Sequence, residues 1–179
     1  MTSLICHTQG FYGNTVLWML NGGSTPEPRE HDHIAPHPTW LWNAKLGPLS
    51  KTSAKHIKIY NEHGLHKLLL PHIKNLVDRA WPIVWCTSND SDFIKYVARR
   101  VSKINEEEYD LALNTVQKKV LMEREAYERL KDTYNILELD VNELLMKHST
   151  SEYNRLIEHT GTKNAVPRGW VLELDTFND

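Results

Sequence analysis

The amino-acid sequence predicts an α/β protein, with one domain built on a central parallel sheet. Short apolar segments typical of buried strands alternate with segments of helical periodicity, and that order favours parallel strands whose faces are covered by helices. The 179 residues are 40% hydrophobic and 25% charged, which is enough apolar surface for the core of one domain. We therefore expect a single domain over residues 1–179, with an irregular Pro-rich insertion at about 22–53.

The first half of the chain supplies two predicted strands and two predicted helices. Leu4–His7 has the apolar character of a strand, and Thr15–Leu20 indicates the first turns of a helix that the glycines after it would end. Beyond the insertion, His56–Tyr60 alternates like a short strand. Residues 66–80 have a helical pattern, with a start or kink at Pro71.

The alternation continues after this helix. Pro82–Cys86 is a compact apolar run typical of a buried strand. The polar residues after it include Ser91 and Asp92, which are predicted to cap a helix that runs through Val101 or Ile104.

The last third of the chain predicts a long helical region, a strand and a final helix. Residues 106–132 contain no Gly or Pro and predict one long helix or two shorter ones. Asn135–Asp140 indicates the last clear strand, and Ser151–Thr160 predicts a helix that Gly161 ends. The apolar stripe of the long helical region is predicted to comprise Leu111, Val116, Val120, Tyr127 and Leu130.

Charge and composition argue against several classes of protein. The chain has 21 Lys+Arg against 23 Asp+Glu, a net charge of -2, which argues against a broadly basic nucleic-acid binder. No apolar run approaches the roughly 20 residues that a membrane-spanning helix needs, and the first residues lack the pattern of a signal peptide. Cys6 and Cys86 form no C-x-x-C pair. We expect a soluble, cytoplasmic protein in a reducing compartment, without a nucleic-acid or membrane partner.

The loop between the first strand and the first helix is the leading candidate for a binding site. Glycines allow backbone N–H groups to approach an anion closely, and the N-terminus of the following helix adds partial positive charge. No lysine follows Gly13, so the loop is not a Walker-type P-loop. An ordinary glycine-containing turn is the alternative. The candidate residues are Gln9, Gly10, Phe11, Tyr12, Gly13, Asn14 and Thr15.

The order of these segments resembles the P-loop sulfotransferases, which use 3′-phosphoadenosine-5′-phosphosulfate. Their phosphosulfate loop has the form P-K-[ST]-G-[ST]-[ST], and Gly13 and Thr15 match it, with Phe11 at the position of the lysine. The strand beginning at Ile57 resembles the one that presents the catalytic histidine of the family, for which His63 is the best match.

Two later segments carry the same resemblance. Residues 83–92 resemble the strand that ends in R-[DN]-P-x-D and holds the 3′-phosphate of the cofactor. Asn89 and Asp92 match this motif, Ser88 occupies the arginine position, and Tyr96 falls where the family has a further serine. Residues 136–145 resemble the late strand and Y-E-D-L turn of the family, followed by its terminal helix.

This resemblance implies a P-loop NTPase-like, three-layer fold and transfer of a sulfuryl group to a hydroxyl or amine acceptor. His63 would be the base, while residues 9–15, Ser88 and Asn89 would bind the nucleotide cofactor. Lys55 and Lys58 are candidates to replace the missing lysine in space. The alternative is a descendant without a working cofactor site, a binding or structural subunit of an assembly such as a virion, whose protein partners contact the insertion and the C-terminal tail.

Two other patterns have simpler interpretations. His31, Asp32, His33 and His37 have a spacing suited to zinc, but a His-rich polar loop is the preferred interpretation, and we predict no metal site. The basic residues of the helix after the third strand and of the next helix are assigned to solvated faces, because glutamates interleave with them. They are Lys95, Arg99, Arg100, Lys103, Lys118 and Lys119.

Overall fold

The computed structural model describes residues 3–20, 56–58, 64–74, 77, 79–163 and 165. The strands in these ranges are β1 (Ser3–His7), β2 (His56–Lys58), β3 (Ile83–Thr87) and β4 (Ile136–Asp140). The α-helices are α1 (Gly13–Leu20), α2 (Pro71–Lys74), α3 (Ser91–Asn105), α4 (Tyr109–Leu130) and α5 (Thr150–Thr160). A 3₁₀ helix covers Leu65–Leu69 and a π-helical turn covers Asn142–Met146. The predicted insertion at 22–53, with the histidines of the considered zinc site, lies outside the described residues, as does the C-terminal tail.

The four strands form one parallel sheet in the order β2-β1-β3-β4, which confirms the predicted α/β class with a central parallel sheet. In the register, Cys6 lies opposite Trp85, and Trp85 lies opposite Glu138. The central strands β1 and β3 are buried along their whole length, which explains why each is a continuous apolar run.

Two hydrophobic clusters lie on the two faces of this sheet. On the first face, Ile5 and Val84 pack with residues of α1, α3, α5 and the first turns of α4. On the second face, Leu4 and Trp85 pack with the 3₁₀ helix and the last turns of α4. Helices therefore cover both faces, as the sequence predicts.

The strand order places a topological switch point between β1 and β3. In the strand order, β2 lies next to β1 towards one edge of the sheet, whereas β4 lies next to β3 towards the other edge. Their carboxyl ends are adjacent, because His7 pairs with Cys86. In open α/β sheets, ligands bind in the crevice outside the carboxyl ends of strands at such a point.

Several predicted elements differ in detail from the observed ones. The helical pattern over 66–80 divides at Leu70 into the 3₁₀ helix and α2, which begins at Pro71, because proline has no N–H to donate within a helix. The region 106–132 forms one helix, α4, rather than two. Leu111 is 57% exposed, so its place in the predicted apolar stripe was wrong.

The two cysteines, Cys6 and Cys86, are free and buried. Burial raises the pKa of both thiols well above the ordinary range, so they remain protonated and unreactive at neutral pH. Among the helices in the described ranges, none is both long enough and apolar enough to cross a membrane.

Gly161 ends α5 in left-handed backbone, as the sequence predicts, with φ of 62°. Replacing it with alanine should lower the free energy of unfolding by about 1 kcal/mol, since a Cβ is disfavoured in this conformation. No atom lies within 4 Å of the position that the Cβ would take, so the loss is one of backbone conformation alone. Urea unfolding measures it. Gly161→Asn should lower the free energy of unfolding less than Gly161→Ala. An alanine variant as stable as the parent chain would contradict the left-handed backbone at this position.

Candidate functional site at the carboxyl edge of the sheet

The loop from Thr8 to Tyr12 turns sharply between β1 and α1. The N–H of Phe11 donates to the carbonyl of Thr8 at 3.0 Å, which closes the turn. Gly10 and Tyr12 adopt positive φ values of 85° and 53°, which directs the chain into α1 at Gly13. The first N–H groups of α1 therefore point out of the carboxyl edge without a partner inside the helix.

Close packing makes glycine necessary at two positions of this loop. A Cβ at Gly13 would overlap the imidazole of His7, which lies against the loop and donates from Nδ1 to the carbonyl of Thr8 at 2.9 Å. A Cβ at Gly10 would overlap Val97 of α3. The loop is thus held between the end of β1 and helix α3.

Phe11, which occupies the position of the family's lysine, lies in the core. Its ring packs edge-on against Phe93, with centroids 5.7 Å apart, and only 1% of the residue is exposed. Its side chain therefore stabilises the contact between the loop and α3. The backbone N–H of Phe11 already donates to the carbonyl of Thr8.

Tyr12, Tyr96 and Arg100 form a polar cluster beside the loop. The hydroxyl of Tyr12 lies 2.9 Å from that of Tyr96 and also accepts a hydrogen bond from Arg100. The guanidinium of Arg100 lies 4.9 Å from the centre of the Tyr12 ring and 5.8 Å from that of Tyr96. Burial and the bond to Tyr96 raise the pKa of Tyr12 and outweigh the opposing effect of Arg100. Arg100 has no carboxylate partner in the part of the chain that the structure describes.

The loop after β3 lies next to the β1–α1 loop but is internally bonded. Ser88 is buried, and its hydroxyl accepts the N–H of Asp90 at 3.2 Å. Asp90, rather than the predicted Ser91 or Asp92, caps α3 by accepting the N–H groups of Asp92 and Phe93. Ser88 and Asp90 thus use their side chains to shape the start of α3.

Arg124 of α4 joins the middle of β4 to the loop after β3. Its guanidinium donates to both carboxylate oxygens of Glu138, at 2.8 and 2.5 Å, and to Oδ1 of Asn89 at 3.1 Å. It also lies over the ring of Trp85, 4.7 Å from the ring centre. The bonds to Glu138 raise the pKa of Arg124, which therefore remains charged. The side chain of Asn89, a predicted cofactor ligand, already accepts one bond from this arginine.

Glu123, the neighbour of Arg124, holds the segment that follows residue 63. Its carboxylate is buried and accepts from the backbone N–H of His66 at 3.1 Å and from Nδ1 of the same residue. A Cβ at Gly64 would overlap this carboxylate. In this arrangement the carboxylate lies where a Cβ at position 64 would be, and it holds the imidazole of His66.

The predicted site residues divide into three groups. Gln9 to Thr15 form the β1–α1 loop and the first turn of α1, and Ser88 and Asn89 lie beside them at the end of β3. Lys58 ends β2. His63 and Lys55 lie outside the described residues, as does any contact they make.

Sequence reasoning missed the residues that place charge at this edge. Arg100 was assigned to a solvated face, although it lies one helical turn after Tyr96 and borders the buried side of α3. The pairing of Glu123 with His66 was also missed, because the two residues are 57 positions apart in the sequence. No cluster of three or more metal-ligating side chains occurs within the described ranges.

Comparisons with known proteins add no family assignment. No protein-family model matches the chain, and neither the curated proteins nor the solved structures contain a significant match.

The cap at Asp90 predicts an acid-dependent loss of stability. The N–H groups of Phe93 and Asp92, together with Lys147, lower the pKa of the Asp90 carboxyl below its ordinary range. A carboxyl whose folded-state pKa is lowered stabilises the fold above its unfolded pKa of about 3.9, and this contribution is lost as the pH falls through the lower, folded pKa. Asp90→Ala should lower the free energy of unfolding at neutral pH, because it removes the side-chain acceptor of the helix cap.

Urea unfolding of the parent chain and of Asp90→Ala at a series of pH values measures this effect. The difference between the two should shrink below about pH 4. Asp90→Asn is the matched control, because an amide oxygen still caps the helix but does not titrate in this range. A difference that stays constant down to the acid limit would contradict the role of the ionised carboxylate.

Proposed function

We propose that this chain binds the phosphate groups of a nucleotide at the switch point between β1 and β3. The observation that carries the proposal is the meeting of the β1–α1 loop with the positive side chain of Arg100 at this edge. Tyr12 joins them, since it immediately precedes α1 and bonds to Arg100. This combination is suited to an anion. It offers outward N–H groups, a helix N-terminus, and a guanidinium that has no carboxylate partner in the described chain.

The position of Arg100 compensates in part for the lysine and arginine that the sulfotransferase pattern lacks. Phe11 and Ser88 occupy those two positions, and both are buried. Arg100 instead reaches the edge from α3, one turn beyond Tyr96, where the family has its serine. An arginine offers two parallel donors to a phosphate, so one side chain supplies both charge and direction.

The reaction that we propose on this site is sulfuryl transfer, as in the sulfotransferases that the sequence resembles. The donor, 3′-phosphoadenosine-5′-phosphosulfate, would supply the activated sulfuryl group when bound. Backbone N–H groups of the loop would hold the phosphate nearest that group, and Arg100 would hold the other phosphate. A histidine near the edge would take the proton from a hydroxyl or amine acceptor.

Calorimetric titration with 3′,5′-diphosphoadenosine at low salt tests the proposed binding. The parent chain should bind with micromolar affinity. Arg100→Met should weaken binding by about tenfold or more, because a hydrogen bond to a charged group contributes roughly 1.5–3 kcal/mol. Arg99→Met is the matched control, since Arg99 is exposed, adjacent on α3, and lies over Tyr109 at 6.0 Å from the ring centre. That control should bind like the parent.

Two results would count against nucleotide binding. One is a folded parent chain that gives no heat at millimolar nucleotide. The other is equal weakening by Arg99→Met and Arg100→Met, which would indicate a diffuse charge effect in place of a contact. Near-ultraviolet circular dichroism of each variant verifies that the fold is retained.

A second candidate function, a non-catalytic binding or structural subunit of an assembly, is favoured by the burial of Phe11. Its ring fills the core between the loop and α3, and a lysine there would leave its charge in an apolar environment. This candidate predicts that millimolar 3′,5′-diphosphoadenosine leaves the melting temperature unchanged, since only a ligand that binds the native state raises it. A rise that grows with nucleotide concentration would contradict it.

A further inference from the structure

The side of α4 that faces away from the sheet carries exposed apolar side chains near its middle. Five large hydrophobic residues are exposed in the part of the chain that the structure describes, and three of them lie on α4. Two of the three are adjacent, Leu121 at 65% and Met122 at 39% exposure. Leu121 lies about two and a half turns from both Ala112 and Leu130, which are buried, so it is on the opposite side of the helix from them.

Two exposed charges flank this apolar centre. Lys118 lies one turn before Leu121 and Glu125 one turn after it, and this spacing of three and four residues places all three on one side of the helix. Neither Lys118 nor Glu125 forms an ion pair within the described residues, whereas Glu128 and Lys131 near the end of the same helix pair with each other. Both charges are therefore available to a partner.

This order of positive, apolar and negative residues is complementary to itself when two copies of the helix run antiparallel. A two-fold axis beside Leu121 and Met122 places Lys118 of each copy opposite Glu125 of the other, so the attraction is made twice. A parallel pair would instead place lysine opposite lysine and glutamate opposite glutamate. The charges thus favour a second copy of this chain, in the antiparallel orientation.

The opposite side of α4 makes this surface rigid. Glu123 bonds to His66 and Arg124 bonds to Glu138, so the middle of the helix is held against the sheet. A partner that binds the outward side therefore loses little affinity to ordering of the backbone. The helix has 22 residues and is about 33 Å long, which is enough for such a contact. One helix pair is a small interface, so we expect micromolar affinity.

We propose that this chain forms a homodimer through the outward side of α4, with the two helices antiparallel. Leu121 and Met122 form the apolar centre of the interface, and Lys118 and Glu125 pair between the copies on either side of it. The proposal goes beyond nucleotide binding and does not depend on it, because none of these four residues was placed in that site.

Sedimentation velocity over protein concentrations from about 1 µM to 1 mM tests dimerisation. Leu121→Gln should raise the dissociation constant by about 100-fold, because each of the two copies loses a leucine whose burial contributes roughly tenfold or more. Ile104→Gln is the matched control. Ile104 is 66% exposed, like Leu121, but lies in the last turn of α3, and its variant should dimerise like the parent.

Charge reversal tests the antiparallel pairing. Lys118→Glu and Glu125→Lys should each raise the dissociation constant by about tenfold or more, since each places like charges opposite each other twice in the dimer. The variant with both reversals should return to within about threefold of the parent. Raising the salt concentration to about 1 M should reduce the difference between the parent and either single variant.

Three results would overturn the proposal. One is a folded parent chain that remains monomeric at about 1 mM, as it would if a different protein or another segment of this chain covered the outward side of α4. Another is equal weakening by Ile104→Gln and Leu121→Gln. The third is a pair of single charge reversals that leave dimerisation unchanged, as a parallel pair would, or a double reversal that fails to restore it. Near-ultraviolet circular dichroism verifies that each variant retains the fold.

Discussion

Two adjacent, oppositely charged residues of α4 determine the geometry of the carboxyl edge. Glu123 and Arg124 are held against the same face of the sheet, and each side chain has a partner elsewhere in the chain: His66 for the first, Glu138 for the second. A buried charge that loses its partner costs several kcal/mol. The two pairs therefore fix α4 relative to β4 and to the start of the 3₁₀ helix. Because Arg124 also covers Trp85, the helix is aligned on β3 as well.

The length of α4 extends this constraint to the first face of the sheet. Its last turns pack on the second face, whereas Ala112 and Val116 near its start join the cluster that contains α3. Helix α3 is thereby held against the β1–α1 loop, where Val97 meets Gly10. The position of Arg100 beside Tyr12 thus depends on packing that begins on the opposite face. The charges at the edge are part of the core architecture.

The sequence predicted the elements whose signals are local. Buried parallel strands are continuous apolar runs, and Gly161 marks the end of α5 by its left-handed backbone, so both could be read from short windows. The exposure of Leu111 could not be predicted in this way. Which residues of α4 are buried depends on which faces of the sheet the two halves of the helix cover. Arg100 and the pair of Glu123 and His66 were missed for the same reason. Their environment is set by residues 57 or more positions away.

The two proposed functions differ in how they explain Phe11 and Ser88, which occupy the positions of the lysine and arginine in the sulfotransferase pattern. A site that had only decayed would need no positive side chain at the switch point, because Phe11 already closes the contact between the loop and α3. Arg100 adds nothing to that hydrophobic contact, and in the described chain its one hydrogen-bond partner is a tyrosine hydroxyl, a weak match for a full charge. A guanidinium kept half-buried between two aromatic rings without a carboxylate is explained more simply by an anion that it binds. For this reason we place nucleotide binding ahead of a purely structural role.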